Sequence, residues 1–146
     1  MNNGYLLDTS FLSELSPGRQ ALPDSLNVWV IETFSEFYLS TISVAEIAAG
    51  IAKLRRTDRG TKADAYEAWL THTLALFGSR LLDLDQPAAR KAGELGDLAI
   101  SKGRHPGFAD VAIAATAQSN GLIVLTRNLK HFVPLDVPCL DPFKMA

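Results

Sequence analysis

Short apolar runs alternate with longer helical patterns along almost the whole chain, and this alternation restricts the fold more than any other feature. Residues 4–8 contain Tyr5-Leu6-Leu7, apolar without polar alternation, as a strand buried on both faces requires. Phe37 to Thr41 is a β-branched and aromatic run, and Leu81 to Leu84 is a third candidate strand. Leu122 to Leu125 is the cleanest strand and Val137 to Leu140 a weaker last one. The intervening segments read as helices. Thr9 to Leu15 is stopped by Ser16-Pro17-Gly18, and Asp24 to Phe34 is announced by Pro23-Asp24-Ser25. Ser43 to Leu54 carries Val44, Ile47, Ile51 and Leu54 as one apolar stripe, followed by a polar connection from Arg55 to Thr61. Lys62 to Phe77 ends at Gly78, a candidate C-cap, and Asp85-Gln86-Pro87 opens a helix reaching Lys102-Gly103. After the rigid turn His105-Pro106-Gly107, Ala109 to Ser119 is so apolar that it must be buried. Strands separated by helices pair in parallel through crossovers. The expected fold is therefore α/β: a three-layer α/β/α sandwich on a mainly parallel sheet of four to five strands, in one domain.

A chain of 146 residues, 47% apolar and 21% charged, suits one compact core and lies far from the disordered regime. The N-terminus has no basic region followed by a long apolar stretch, and no run approaches the roughly 18 apolar residues that span a bilayer. A single cysteine, Cys139, excludes an internal disulfide framework and argues against a cysteine-based zinc site. The cytoplasm is the expected compartment. Net charge is −2, so no global basic field announces nucleic acid. Local basic clusters exist: Lys53, Arg55, Arg56, Arg59 and Lys62; Lys102, Arg104 and His105; Arg127, Lys130 and His131. Solvated surface charge is the plain explanation of each. The last two nevertheless flank Asp110 and the segment after the strand at 122–125.

Asp8, Glu46 and Asp110 each stand where a helix is expected to begin. Asp8 closes the first apolar run and has an ordinary use as a helix cap. Ser43-x-x-Glu46 fits the capping-box pattern, and Asp110 complements the dipole of its own helix. Together they carry a second reading, because open α/β sheets bind ligands outside the carboxyl ends of their strands. Converging carboxylates repel unless a cation neutralises them, and Mg²⁺ or Mn²⁺ is the hard cation that oxygen ligands prefer. Such a site activates water and stabilises charge on a phosphoryl group. Thr126-Arg127-Asn128-Leu129-Lys130-His131-Phe132 follows the cleanest strand; Thr126 and Asn128 are hydrogen-bonding residues at its end, and Asn128 equally suits the cap of a short turn. His131 is open between general base, phosphate contact and plain surface residue, whereas His72 is assigned to the surface. No GK[ST] P-loop, GxGxxG or GxSxG is present, and Cys139 has no histidine arrangement to recommend it as a nucleophile.

Four segments in order, Leu7-Asp8-Thr9-Ser10, Ser43-Val44-Ala45-Glu46, Phe108-Ala109-Asp110-Val111-Ala112-Ile113-Ala114-Ala115-Thr116-Ala117 and Leu125-Thr126-Arg127-Asn128, resemble the PIN-domain family, and within it the VapC/FitB-type toxins of bacterial toxin–antitoxin pairs. The resemblance spans nearly the whole chain. It implies a Mg²⁺- or Mn²⁺-dependent endoribonuclease, cutting RNA by in-line attack of metal-activated water and leaving a 5′-phosphate. It implies that Asp8 and Asp110 are the principal metal ligands, with Glu46 as ligand or water-orienting base, and that Thr9 or Ser10 is the family's small polar residue. Where the family often has a fourth acid this chain has Asn128, which leaves one charge fewer and points to one firmly held metal. Lys53, Arg104, Arg127 and Lys130 are the candidates for RNA backbone contacts, which position a strand without specifying sequence. A homodimer and a cognate antitoxin, whose basic or aromatic peptide occupies the acidic groove, are also implied, with Trp29 and the 43–56 helix as surfaces or, for Trp29, ordinary core. Asn128 keeps open a catalytically silent module that binds RNA or protein. A phosphotransfer domain is disfavoured: the phosphatase pattern wants an aspartate at the position of Ser10, and a receiver wants a paired acid and a late lysine.

Overall fold

The computed structural model describes residues 4–57 and 60–145. Five strands, β1 (Tyr5–Leu7), β2 (Phe37–Ser40), β3 (Leu81–Leu82), β4 (Ile123–Leu125) and β5 (Cys139–Leu140), form one sheet in the order β3-β2-β1-β4-β5. Every pairing is parallel; Leu6 lies opposite Tyr38 on one side and Val124 on the other. The helices are α1 (Thr9–Glu14), α2 (Asp24–Thr33), α3 (Thr41–Thr57), α4 (Lys62–Phe77), α5 (Gln86–Ser101), α6 (Phe108–Ser119) and a single turn, α7 (Leu129–Phe132).

The sheet's two faces follow from the period of two along a strand. Leu6 and Val124 join Leu95, Ile113 and Phe132 in the core under α5, α6 and α7. Their neighbours Leu7 and Leu125 point the other way, into a core with Phe11, Leu26, Val30 and Phe77 from α1, α2 and α4. Apolar runs without alternation were therefore the right signature of strands covered on both sides. A third, smaller cluster of Ile51, Ala63 and Leu70 joins α3 to α4. Trp29 is taken up by packing, edge-on to Tyr5 at 5.5 Å and tilted against Phe37 at 5.6 Å. Gly4 enters β1 with φ +125°, and a Cβ there would stand 2.5 Å from the Glu36 carbonyl oxygen, so only glycine allows the strand this close to its neighbour.

Several boundaries differ from the sequence expectation. β3 and β5 are shorter than 81–84 and 137–140, since edge strands need pair on only one side. α3 is longer than 43–54. It starts at Thr41 directly off β2, where the Ser40 hydroxyl accepts the Ile42 N–H at 3.0 Å. It also runs on through Arg55 and Arg56 to Thr57, so those residues are helix rather than connection; Arg55 reaches Asp64 of α4 at 2.7 Å. Arg59 lies outside the described residues. Asp85 caps α5 through the Ala88 N–H and Gly78 ends α4 with φ 56°, both as expected. No helix among the described residues is long and apolar enough to cross a membrane.

Candidate active site

The strand order reverses direction at β1: the chain moves outward to β2 and β3, then returns to build β4 and β5 on β1's other flank. Ligand sites of open α/β sheets form at such a switch, beyond the carboxyl ends of the two strands involved. Asp8 ends β1 there, and Thr126 ends β4 beside it. Asp8 is only 3% exposed. Its backbone N–H extends the ladder to the Leu125 carbonyl at 2.9 Å. Its Oδ1 accepts the Phe11 N–H at 2.9 Å, capping α1, and the Ser10 hydroxyl at 2.7 Å. Its Oδ2 accepts the Thr126 hydroxyl at 2.6 Å. Capping and site-building are thus not rival uses of Asp8: one oxygen caps and both are oriented. Thr126 is fully buried and also receives the Asn128 N–H at 2.8 Å, while Ser10 receives the Arg127 N–H at 3.0 Å. These bonds pin the segment after β4 to the segment after β1.

Glu46 approaches from α3. The capping-box reading of Ser43 and Glu46 is corrected by the position of the helix start: with Thr41 the first residue, Ser43 is already inside α3 and Glu46 in its second turn. Ser43 is buried, its hydroxyl 3.0 Å from that of Thr9, and Thr9 donates to Glu46 Oε1. The two hydroxyls after Asp8 have therefore separate tasks, Ser10 on Asp8 and Thr9 on the α3 side.

Asp110 stands in the first turn of α6, three residues past the Gly107 cap position, and its Oδ2 meets His131 Nδ1 at 3.0 Å. Burial raises the Asp110 carboxyl above its usual value; His131 opposes the rise, and the charges of Asp8 and Glu46 add to it. Burial likewise raises Asp8, against the hydrogen bonds from Thr126, Phe11 and Ser10, with Glu46 adding to the rise. Three acids from three elements thus feel one another's charge. Neighbouring carboxylates whose charged forms are opposed by burial and mutual repulsion are chemically suited to Mg²⁺ or Mn²⁺, which neutralises them. As placed, no three histidine, cysteine, aspartate or glutamate side chains among the described residues already close on one point. In this arrangement Glu46 is turned to Thr9 and Asp110 to His131.

Asn128 occupies the cap position of α7, but its side chain makes no capping bond. The four candidate phosphate cations differ in setting. Arg104 and Lys130 line a recess of about 220 Å³ with His105, His131 and Asp110, and neither has an ion pair among the described residues. Lys53 is exposed on α3, two turns beyond Glu46. Arg127 is committed elsewhere: its guanidinium carbon lies 3.7 Å from the Phe143 ring centre, with Glu14 at 3.5 Å and Asp141 at 3.7 Å. Its contribution to the candidate site is its backbone N–H. Cys139 sits half-buried in β5, where burial raises its thiol, a poor setting for a nucleophile. His72 is exposed on α4, as expected.

Ser43 escaped the sequence because helix-start residues look alike until the strand-to-helix joint is seen. His131 was open in the sequence between general base, phosphate contact and surface residue; its pairing with Asp110 needs the packing of α7 against α6. Comparison with known proteins adds to this geometry. A PIN-domain family model matches residues 5–133. The chain belongs to the PIN-domain family. Toxin FitB of Neisseria gonorrhoeae is 34% identical over 140 residues, covering 94% of this chain and 97% of that protein. A VapC ribonuclease of Sinorhizobium fredii is 32% identical over 145 residues, covering 97% and 99%. The crystal structure of FitAcB from Neisseria gonorrhoeae has the same fold, with a TM-score of 0.82 at 33% identity over 97% of this PIN domain and 99% of that chain.

Proposed function

We propose that this PIN domain is the toxin of a toxin–antitoxin pair and acts as a Mg²⁺- or Mn²⁺-dependent endoribonuclease. The observation that carries the reading is the Asp8 carboxylate, buried at the switch point, aimed by Thr126, Ser10 and Phe11, and sharing a field with Glu46 and Asp110. The names of relatives similar over nearly the full chain, a toxin and a VapC ribonuclease, support the same assignment.

Asp8 and Asp110 would hold the metal, with Glu46 as a further ligand or as the base that orients water. A bound Mg²⁺ or Mn²⁺ supplies acidification of water and neutralisation of charge developing on the phosphoryl group. The protein's own part begins with orientation. Thr126 and Ser10 fix both oxygens of Asp8, and His131 holds Asp110 through Nδ1. Glu46, exposed and bonded to Thr9, would be the group that accepts a proton from the attacking water. Arg104 and Lys130 face the same region as Asp110 and suit phosphates of the RNA backbone. The Asn128 side chain, which makes no hydrogen bond among the described residues, would orient a water or ligand, and its missing charge favours one metal over two. The product carries a 5′-phosphate. The partners in this reading are RNA, a second copy of the chain, and a cognate antitoxin whose basic or aromatic peptide covers the acids, giving a heterotetramer or larger assembly.

Purified, antitoxin-free protein tests the reading. Cleavage of cellular RNA with Mg²⁺ or Mn²⁺, abolished by EDTA and by Asp8→Asn, is expected. RNA binding with no metal-dependent cleavage would instead favour a catalytically silent module, the reading that Asn128 keeps alive.

A further inference from the structure

A second recess opens on the Glu46 side of the acids. It has a volume of about 390 Å³ and lies between α1, α3 and α4, with Glu46 and Thr9 in its lining. That is within the size range of small-molecule clefts. Tyr66 and Trp69 of α4 supply aromatic surface, and Ile47 and Ile51 of α3 an apolar wall. Lys62 and Arg19 also line it, and neither forms an ion pair among the described residues. Unpaired cations beside aromatic surface are the combination that binds single-stranded nucleic acid, the cations on the backbone and the rings on base faces.

We propose that this recess receives a nucleobase of the RNA next to the scissile phosphate, stacked on Tyr66 and Trp69, with Lys62 and Arg19 on the adjoining backbone. The inference rests on the nuclease reading for the position of the scissile phosphate. Adjacency is the first argument, because Glu46 and Thr9 of the candidate site themselves line the recess, so a strand lying against Glu46 is at its mouth. Charge is the second. Lys62 and Arg19 outnumber Glu46 in the lining, so RNA meets a net counter-charge there and a basic peptide a net like charge. The Tyr66 hydroxyl has no hydrogen-bond partner among the described residues, which leaves it available to a base edge. With Arg104 and Lys130 beside Asp110, the bound strand runs between a phosphate-binding flank and a base-binding flank.

Gly50 provides a direct probe. It lines the recess from α3, and a Cβ built on it meets nothing within 4 Å. Gly50→Leu therefore fills the space while favouring the helix; Tyr66→Ala removes stacking surface instead. Full-length protein in EDTA is mixed with oligoribonucleotides carrying 4-thiouridine, irradiated, and the crosslinks mapped, with Kd measured by fluorescence anisotropy. Crosslinks to Tyr66 or Trp69 are expected, with Kd weakened about tenfold by either substitution. With Mn²⁺ and randomised RNA, the base preference at one position flanking the cut should flatten in both variants. Crosslinks only outside the recess with unchanged Kd, or no RNA binding by wild type, overturn the proposal. So does an effect of both variants confined to binding of a basic peptide, which would make the recess a protein-docking surface. Wild type that crosslinks in the recess but cuts no RNA with either metal sinks the nuclease reading alone. Cleavage with unaltered preference in both variants sinks the recess alone.

Discussion

Thr126 donates its hydroxyl to Asp8 Oδ2 at 2.6 Å across 118 residues of sequence, joining the ends of the two strands that meet at the topological switch. Both groups are almost fully buried, so the bond is made where water cannot replace it. Thr126→Val keeps the shape and removes the hydroxyl, leaving Asp8 short of a donor and the Asn128 N–H short of its acceptor. A loss of about 1–3 kcal/mol in urea unfolding of metal-free protein is expected. RNA cleavage should fall with it, chiefly in kcat, because Asp8 is no longer aimed. Unchanged stability and kcat would show that Asp8 needs no such support.

The acids should make the metal-free protein uneasy at neutral pH. Burial raises both Asp8 and Asp110, so the folded state holds these protons more tightly than the unfolded chain. Their contribution to stability is then full below the unfolded value and is lost as pH rises through the folded one. Between about pH 4 and pH 7 in EDTA, wild type should lose more thermal stability than Asp110→Asn, which has no charge to acquire there. Mn²⁺ should restore the loss in wild type and do little for the variant. Parallel pH profiles would count against a strained acidic site.

Asn128 stands at the rim of the same site, its N–H on Thr126 and its side chain without a capping bond. Asn128→Asp adds the carboxylate that the family often carries. Isothermal titration with Mn²⁺ should then show tighter binding or a second event, together with lower stability in EDTA from added repulsion. Identical titrations of the two proteins would place Asn128 outside the metal's reach.

Arg127 and Lys130 were indistinguishable as basic residues near Asn128, and the structure separates them. Arg127→Ala should cost about 1 kcal/mol of stability, from the lost contact with Phe143 and the pairs to Glu14 and Asp141. Lys130→Ala should leave unfolding unchanged and weaken RNA binding, lowering the slope of log Kd against log salt by about 0.7 per lost phosphate contact. Unfolding curves and salt titrations of the two variants distinguish the roles; reversed effects would exchange them.

Much of the architecture was legible because local patterns and tertiary demands agree. The runs at 5–7, 37–40 and 123–125 are apolar on both faces, and such strands belong in a parallel sheet covered by helices. Asp85 before α5 and Gly78 after α4 act at the ends they were assigned. Ser43 and Glu46 were misplaced because a capping signature is also what a helix interior shows when the true start, Ser40-Thr41, lies at a strand end.

The amino-acid sequence by itself determined the alternation of elements, the parallel sheet and the order of the acids along the chain, since periodicity and turn chemistry are local properties. Only the tertiary structure decided which oxygen of Asp8 caps a helix and which meets Thr126, that Thr9 turns to Glu46 while Ser10 turns to Asp8, and that His131 holds Asp110. It also sent Arg127 to Phe143 and left Lys130 without an ion pair among the described residues. The reason is strand order: β4 returns to the side of β1 opposite β2, bringing segments more than a hundred residues apart to one edge of the sheet. Nothing in the spacing of those residues along the chain records that juxtaposition.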